Sequence, residues 1–256
     1  MPYEKLSIMT YNTWFEDIFS EERLTNLISL IYYNNCDVLC FQELTPYIFN
    51  KLIHRISLKY PYIISSPELE KCENYGVAIF SKHKISEHYS QKLVDTQMHR
   101  YLLFCKINIG NDEIMISTAH LENEENNKYT TKLKQFNQIL GSLAQFENCI
   151  FLGDTNITHD EEEIFSFNED LWKDCWVQDG CQENKQFTID YKTNIFIQKN
   201  QDRFDRIYYK SKDFLLDKFL LVGKNHNPTP SNHYGLIAKL NIKNTNNISS
   251  TLTSST

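Results

Sequence analysis

Four short apolar runs each end on polar residues: Asn12 closes SIMTYN, Gln42 and Glu43 follow DVLCF, His120 closes IMISTAH, and Asp154 and Asn156 follow CIFLG. Runs of this length read as strands buried on both faces. A chain that repeats the arrangement must bring polar groups to the rim of an otherwise apolar sheet. Taken singly, an Asn or Asp at such a place is a turn former that bonds nearby backbone. Several at equivalent positions point to one shared pocket at the strand ends.

The rest of the chain supplies the matching elements. Leu6–Tyr11 alternates as a strand, and Ser20 opens an apolar period at Leu24, Leu27, Ile28 and Ile31 that predicts a helix. Asp37–Phe41 is a buried strand. Pro46 starts a second helical period (Phe49, Leu52, Ile53, Ile56), ended by Pro61 before the strand Tyr62–Ser65. Val77–Ser81, Tyr101–Ile109 and Glu113–Ala119 are strands, the last two joined by a turn at Gly110-Asn111-Asp112. A helix is expected over Lys132–Phe146, followed by strands at Cys149–Leu152, Phe204–Tyr209, Phe214–Leu221 and Gly235–Ile242. The acidic run Asp160–Glu163 reads as a solvated helix start rather than a second metal site. From Lys243 the polar KNTNNISSTLTSST is expected to fray, which divides the chain into a domain over 1–242 and a tail over 243–256.

A length of 256 residues suits one α/β domain. A net charge of −7 argues against coating long nucleic acid, which needs many cationic phosphate contacts, but leaves room for one phosphate gripped beside a metal. No apolar run approaches a membrane span, and no basic segment followed by an apolar stretch marks a secretory signal at the N-terminus. The seven cysteines are odd in number and include no C-x-x-C, so buried free thiols are expected rather than disulfides or zinc. An intracellular, nuclear or cytoplasmic, monomer is the resulting expectation.

Neither a serine nucleophile elbow nor a Gly-rich phosphate loop is present. What is present is a set of motifs in a fixed order: T-Y-N at Thr10–Asn12, Q-E at Gln42–Glu43, H-L-E at His120–Glu122, G-D-T-N at Gly153–Asn156, F-D-R-I at Phe204–Ile207 and S-N-H at Ser231–His233. In that order the chain resembles the endonuclease/exonuclease/phosphatase superfamily. Within it, R-F-D-R-I and the P-S-x-H-x-G-L pattern of Pro230–Leu236 resemble the tyrosyl-DNA phosphodiesterase 2 group, as does the segment DTQMHRYLLFCKINI.

The resemblance implies a DNase-like α/β fold, a four-layer α-β-β-α sandwich of two mainly antiparallel sheets flanked by helices, with the site at one end. It implies Glu43 as the ligand of Mg²⁺, with Mn²⁺ as a substitute, since such cations prefer oxygen donors. Asp154 matches the residue that positions and deprotonates water, although read alone it is equally a turn aspartate. Asn12 and Asn156 match neutral donors to the phosphate. His233 matches the histidine on the scissile phosphate, Asp205 would orient it, and His120 is a second phosphate-side candidate. Tyr75 is a candidate stacking residue for a base or tyrosyl group.

The implied reaction is Mg²⁺-dependent hydrolysis of a 5′-phosphotyrosyl bond between protein or peptide and a nucleic-acid end. Three departures bear on it: Asn232 stands where the family has Asp, Ile157-Thr158 replaces a Leu-Arg pair that grips substrate, and Ile189 replaces a tryptophan in Phe187–Asp190. They leave two rival readings. One is another phosphoester substrate on the same fold (an abasic site, a poly(A) tail, sphingomyelin or an inositol phosphate), and the other is a catalytically impaired nucleic-acid-binding protein.

Overall fold

The computed structural model describes residues 3–71, 74–123, 129–165 and 170–243. The first half of the fold is β1 (Tyr3–Asn12), α1 (Ser20–Asn34), β2 (Val38–Leu44), α2 (Pro46–Ile56), β3 (Tyr62–Ser65), α3 (Pro67–Glu70) and β4 (Gly76–Ser81). The second is β5 (Ile85–Lys92), β6 (Tyr101–Ile109), β7 (Asp112–His120), α4 (Thr130–Leu143), β8 (Cys149–Asp154), β9 (Trp172–Asp174) and α5 (Cys175–Gln178). Then come β10 (Ile189–Asp190), β11 (Gln201–Asp202), β12 (Asp205–Lys210), β13 (Phe214–Val222) and β14 (Gly235–Lys243).

Two six-stranded sheets result, with orders β13-β14-β1-β2-β4-β3 and β5-β6-β7-β8-β12-β9. Among the described residues each contains one parallel pair, β1 with β2 and β7 with β8, while the other neighbours are antiparallel. Parallel neighbours need a long crossover, here supplied by α1 and α4. The apolar residues sort accordingly. Leu6, Ile8, Cys40 and Ile79 of the first sheet pack against Leu103, Ile116, Ile150 and Ile207 of the second. Met9, Tyr11, Leu39 and Phe41 face Leu24, Leu27, Leu52 and Ile56 of the first two helices, and Phe151 and Tyr208 face Phe136 and Ile139 of α4. This is the expected four-layer sandwich, and strands buried on both faces explain the unbroken apolar runs.

Several details differ from the sequence reading. The strand β5 escaped it because ISEHYSQK sits at the sheet edge with no buried face, so neither alternation nor hydrophobicity marks it. The α4 helix covers Thr130–Leu143 rather than Lys132–Phe146. The run Asp160–Glu163 is not simply solvated: Glu161 pairs with Lys132 at 2.7 Å, and Glu162 pairs with Arg203 and Arg206 at 3.0 and 2.9 Å. Lys243 pairs with Tyr3 inside β14, and the remainder of the expected tail lies outside the described residues, as does Cys72. Five of the other cysteines are buried free thiols and Cys181 is an exposed one. Among the described residues no helix is long and apolar enough to cross a membrane.

Gly153, opposite Ala119 in the parallel pair, shows how tightly the second sheet closes where β7 and β8 end: a Cβ there would lie 2.1 Å from the Ala119 carbonyl oxygen. That oxygen belongs to backbone and cannot swing aside. Gly153→Ala is therefore expected to cost about 3 kcal/mol, the upper end of overpacking penalties, read as a lower urea midpoint at unchanged slope. An unchanged midpoint would mean that β7 and β8 separate freely there.

Candidate active site

Both parallel pairs run toward the same end of the sandwich, so their last residues meet. Asn12 pairs with Gln42, His120 pairs with Asp154, and the antiparallel β12 brings Asp205 opposite Asp154. The order of strands thus collects residues from positions 12 to 233 into one cluster.

Glu43 reaches the cluster by a break in its own strand. The register with β4 shifts between Phe41 and Leu44, so two residues, Gln42 and Glu43, oppose one partner residue as a bulge. Glu43 has φ 54°, in the left-handed region, and Asn156 has φ 50°. Such conformations are uncommon for residues other than glycine and persist where the surroundings fix them. Gln42 is buried between the sheets, accepting from Thr10 Oγ1 at 3.2 Å and donating to Thr118 Oγ1 at 2.9 Å. The Glu43 carboxylate accepts from the Phe15 backbone N–H at 3.1 Å.

Asp154 is the hub. One carboxylate oxygen accepts from Asn12 Nδ2 at 2.8 Å and the other from the Asn156 backbone N–H at 2.9 Å. Its Oδ2 also lies 3.3 Å from His120 Nε2 and 3.8 Å from His233 Nε2. His233 Nδ1 meets Asp205 Oδ2 at 2.7 Å, so the orienting role given to Asp205 has its geometry. Asn156 uses one amide hydrogen on the Leu121 carbonyl at 2.9 Å, and Asn12 uses one of its two on Asp154. These two amides therefore brace the cluster: Asn12 also bonds the Glu43 side chain, while Asn156 keeps a second N–H for a ligand.

The electrostatics divide the two histidines. Burial and the Arg100 guanidinium, whose Nη1 is 2.8 Å from Nδ1, push His120 down to about 3, so it is neutral. With Arg100 the donor at Nδ1, the ring proton belongs on Nε2, facing Asp154. For His233 burial acts in the same direction, but Asp205 and Asp154 outweigh it and raise the ring to about 9. Burial also raises the Asp205 and Glu43 carboxyls. Burial would raise Asp154 too, but the two histidine rings, Asn12 and the Asn156 N–H hold it below the usual range. At neutral pH the centre thus holds His233 as a cation among three carboxyl groups.

Glu43, His120 and Asp154 each offer a ligand atom within 4.8 Å of the others, and so do Asp154, Asp205 and His233. The His120 nitrogens face Arg100 and Asp154, and Asp205 bonds His233 through Oδ2 while its buried Oδ1 has no hydrogen-bond partner among the described residues. The oxygens of Glu43 and Asp154 form a donor set that fits a hard divalent cation such as Mg²⁺, and Asp205 Oδ1 is a further oxygen without a partner. Tyr75 lines a cavity with Glu43, Arg100 and His120; its ring lies under Arg100 at 5.4 Å and stacks on Phe15 at 4.8 Å.

Two arginines were missed by sequence reasoning. Arg100 stands in a segment already noted for its resemblance, but nothing in the sequence ties it to His120. Arg23 had a signal: it shares a helical phase with Leu27 and Leu30 on the buried face of α1. Its five N–H groups reach the carbonyls of Thr13, Trp14, Glu16, Ile18 and Pro230 at 2.6–3.2 Å, tying the loop after Asn12 to the segment before His233. Of the departures, Ile189 is buried, Thr158 closes a capping box with Glu161, and Asn232 Oδ1 accepts from Ser231 Oγ at 3.2 Å.

The model of the Endonuclease/Exonuclease/phosphatase family matches residues 9–233. The chain belongs to this family. Tyrosyl-DNA phosphodiesterase 2 of Mus musculus is 28% identical over 259 residues, covering 94% of this chain and 68% of that protein. The Xenopus laevis protein of the same name is also 28% identical, covering 93% and 68%. Among solved structures, D. rerio TDP2 complexed with single strand DNA product superposes with a TM-score of 0.85 at 26% identity, covering 93% of this chain and 99% of that one. The chain is a phosphodiesterase hydrolase of this family.

The sign of the His233 shift sets a pH expectation. Its folded pKa of about 9 lies above the ordinary 6.5, so the stability it contributes is complete below 6.5 and lost as pH rises through about 9. NMR of the metal-free protein should show the His233 ring still protonated at pH 7.5, and Asp205→Asn should move its midpoint clearly down. The same midpoint in both proteins would remove Asp205 as the cause.

Proposed function

We propose that the chain hydrolyses the phosphodiester that joins a tyrosyl side chain to the 5′ end of a nucleic acid. Glu43 is the principal Mg²⁺ ligand in this reading, with Mn²⁺ able to replace it. The observation that carries it is the placement of Asp154: an ionised carboxylate fixed by Asn12 and the Asn156 N–H, with the His233–Asp205 pair beside it. The relatives' names supply the substrate class, and the product bound to the D. rerio protein supplies the nucleic acid.

The chemistry assigned to each residue follows from its state. Asp154 accepts a proton from water as the water oxygen bonds to phosphorus. Protonated His233 donates from Nε2 to a phosphoryl oxygen, and Asp205 keeps its ring turned that way. The remaining N–H of Asn156 adds a neutral donor to the same charge, and Asn12 ties Asp154 to Glu43. The bond from phosphorus to the tyrosyl oxygen then breaks, and the electron pair leaves on a phenolate whose conjugate acid has an ordinary pKa of about 10, so no strong general acid is needed. When bound, the cation neutralises charge on the phosphoryl and departing oxygens.

The binding-protein reading drew on Asn232, whose side chain engages Ser231 while His233 keeps its carboxylate in Asp205. Loss of one neighbouring charge therefore leaves the working pair in place, which favours an active enzyme.

Glu43→Gln and Asp154→Asn should each lower turnover of a 5′-tyrosyl oligonucleotide by about 10³-fold or more, the scale of losing a metal anchor or a general base, while Asp154→Asn retains measurable substrate binding. Asn232→Asp should stay active with an altered pH or Mg²⁺ dependence. A panel of 5′-tyrosyl, 3′-tyrosyl and abasic-site substrates with and without Mg²⁺ tests the assignment. Cutting of the abasic duplex with no action on the 5′-tyrosyl end would favour the endonuclease rival, and activity only in Asn232→Asp would favour the binding protein.

A further inference from the structure

The loop after Asn12 exposes five residues in a row, Phe15 to Phe19, although Arg23 holds its backbone. With the start of α2 it bounds a groove of about 410 Å³ lined by Trp14, Phe15, Glu16, Asp17, Tyr47 and Ile48. The groove adjoins the candidate active site, with Phe15 as the wall between them. The Phe15 backbone N–H bonds Glu43, and its ring stacks on Tyr75, which lines the cavity beside His120. Phe15 and Tyr47 remain 42% and 47% exposed; Lys51 lies over the Tyr47 ring at 5.1 Å, the Tyr47 hydroxyl bonds Glu21 and Tyr75 covers one Phe15 face, so the other Phe15 face and the Tyr47 edge are open to an occupant.

Its charge selects the occupant. Glu16 and Asp17 line the groove and, among the described residues, neither forms an ion pair; the neighbouring Glu21 is shared with Lys51 at 3.4 Å. Carboxylates here repel a phosphate backbone. Aromatic rings beside carboxylates suit apolar and cationic side chains, through face contacts with ammonium or guanidinium groups and through charge attraction. Cleavage of a protein–nucleic-acid adduct releases two products of opposite demand, an anionic 5′-phosphorylated strand and a peptide carrying the tyrosine.

We infer that this groove binds the peptide side of the adduct and prefers segments with basic residues next to the tyrosine. The inference rests on the proposed phosphotyrosyl substrate. It adds a specificity that the catalytic cluster cannot supply: Phe15 and Tyr47 receive the apolar and aromatic surface of the peptide, Glu16 and Asp17 its cations, and the nucleic-acid strand leaves by another edge.

The test compares the parent protein with the double variant Glu16→Lys, Asp17→Lys, two exposed positions outside the catalytic cluster. Fluorescence anisotropy reads binding of three probes: a peptide with tyrosine flanked by lysines, the same peptide flanked by glutamates, and a short single-stranded oligonucleotide. Turnover of a 5′-tyrosyl oligonucleotide, with a lone tyrosine or the lysine-flanked peptide, is read in parallel. The lysine-flanked peptide should bind the parent at least tenfold more tightly than the glutamate-flanked one. The double variant should erase that preference and raise KM for the peptide adduct about tenfold, equivalent to about 1.4 kcal/mol, without lowering turnover of the lone-tyrosine substrate or affinity for the oligonucleotide. No binding of the lysine-flanked peptide to the parent, or a preference untouched by the double variant, overturns the inference. Charge-sensitive peptide binding without turnover of either tyrosyl substrate would instead sink the proposed reaction and leave the groove as a peptide site.

Discussion

The two parallel strand pairs govern everything at the catalytic end. An all-antiparallel sandwich would alternate strand starts and ends along each rim. By making β1 and β2 parallel, and likewise β7 and β8, the fold delivers an adjacent pair of strand ends from each sheet to one rim and routes α1 and α4 over the outer faces. Asn12, Glu43, His120 and Asp154 are then neighbours whatever their separation in sequence. The same demand explains Gly153, which must be small where β8 lies against Ala119, and the bulge at Glu43, without which the carboxylate would follow the strand's alternation away from the cluster.

Gathering carboxylates in a buried place is unfavourable unless cations or hydrogen bonds accompany them. Each acid in this cluster meets that requirement differently. Asp154 relies on donors from Asn12 and the Asn156 N–H, and Asp205 on the His233 ring at Oδ2, with Oδ1 left unpartnered among the described residues. Glu43 has the Phe15 N–H, the Asn12 side chain and a histidine 3.8 Å away, and it is the least buried of the three acids, which makes it the one most open to a divalent cation. His120 is the counterpart. Held neutral by burial and Arg100, it stands 3.3 Å from Asp154 Oδ2 without adding a positive charge that would compete with a divalent cation.

The strands and their polar ends were legible because a sheet covered on both faces leaves an unbroken apolar signature, and a polar residue that ends it stands out. Six motifs in order then carried the resemblance, and the geometry unites Asn12, Glu43, His120, Asp154, Asn156, Asp205 and His233. What escaped was whatever depends on contacts rather than pattern. The β5 edge strand has no buried face to mark it. A bulge has no fixed composition, so the left-handed φ of Glu43 could not be foreseen. The reading of Asp160–Glu163 as solvated failed because the partners Lys132, Arg203 and Arg206 lie tens of residues away in sequence.

Arg23 joins the catalytic cluster to the open groove. Five backbone carbonyls in two loops would otherwise be left to water or to strain, and guanidinium is the side chain whose five N–H groups in a planar fork can serve them all; an ammonium has three. Burial lowers its pKa only to about 10, so the charge that strengthens those bonds persists at neutral pH. Its face also covers Trp14 at 4.5 Å and Phe196 at 5.9 Å. One buried cation thereby fixes the chain on either side of the cluster, Asn12 through Ile18 and Pro230 toward His233. That is why exposed aromatic and acidic side chains can be presented at a defined position beside the site, on a loop that contributes little apolar burial of its own.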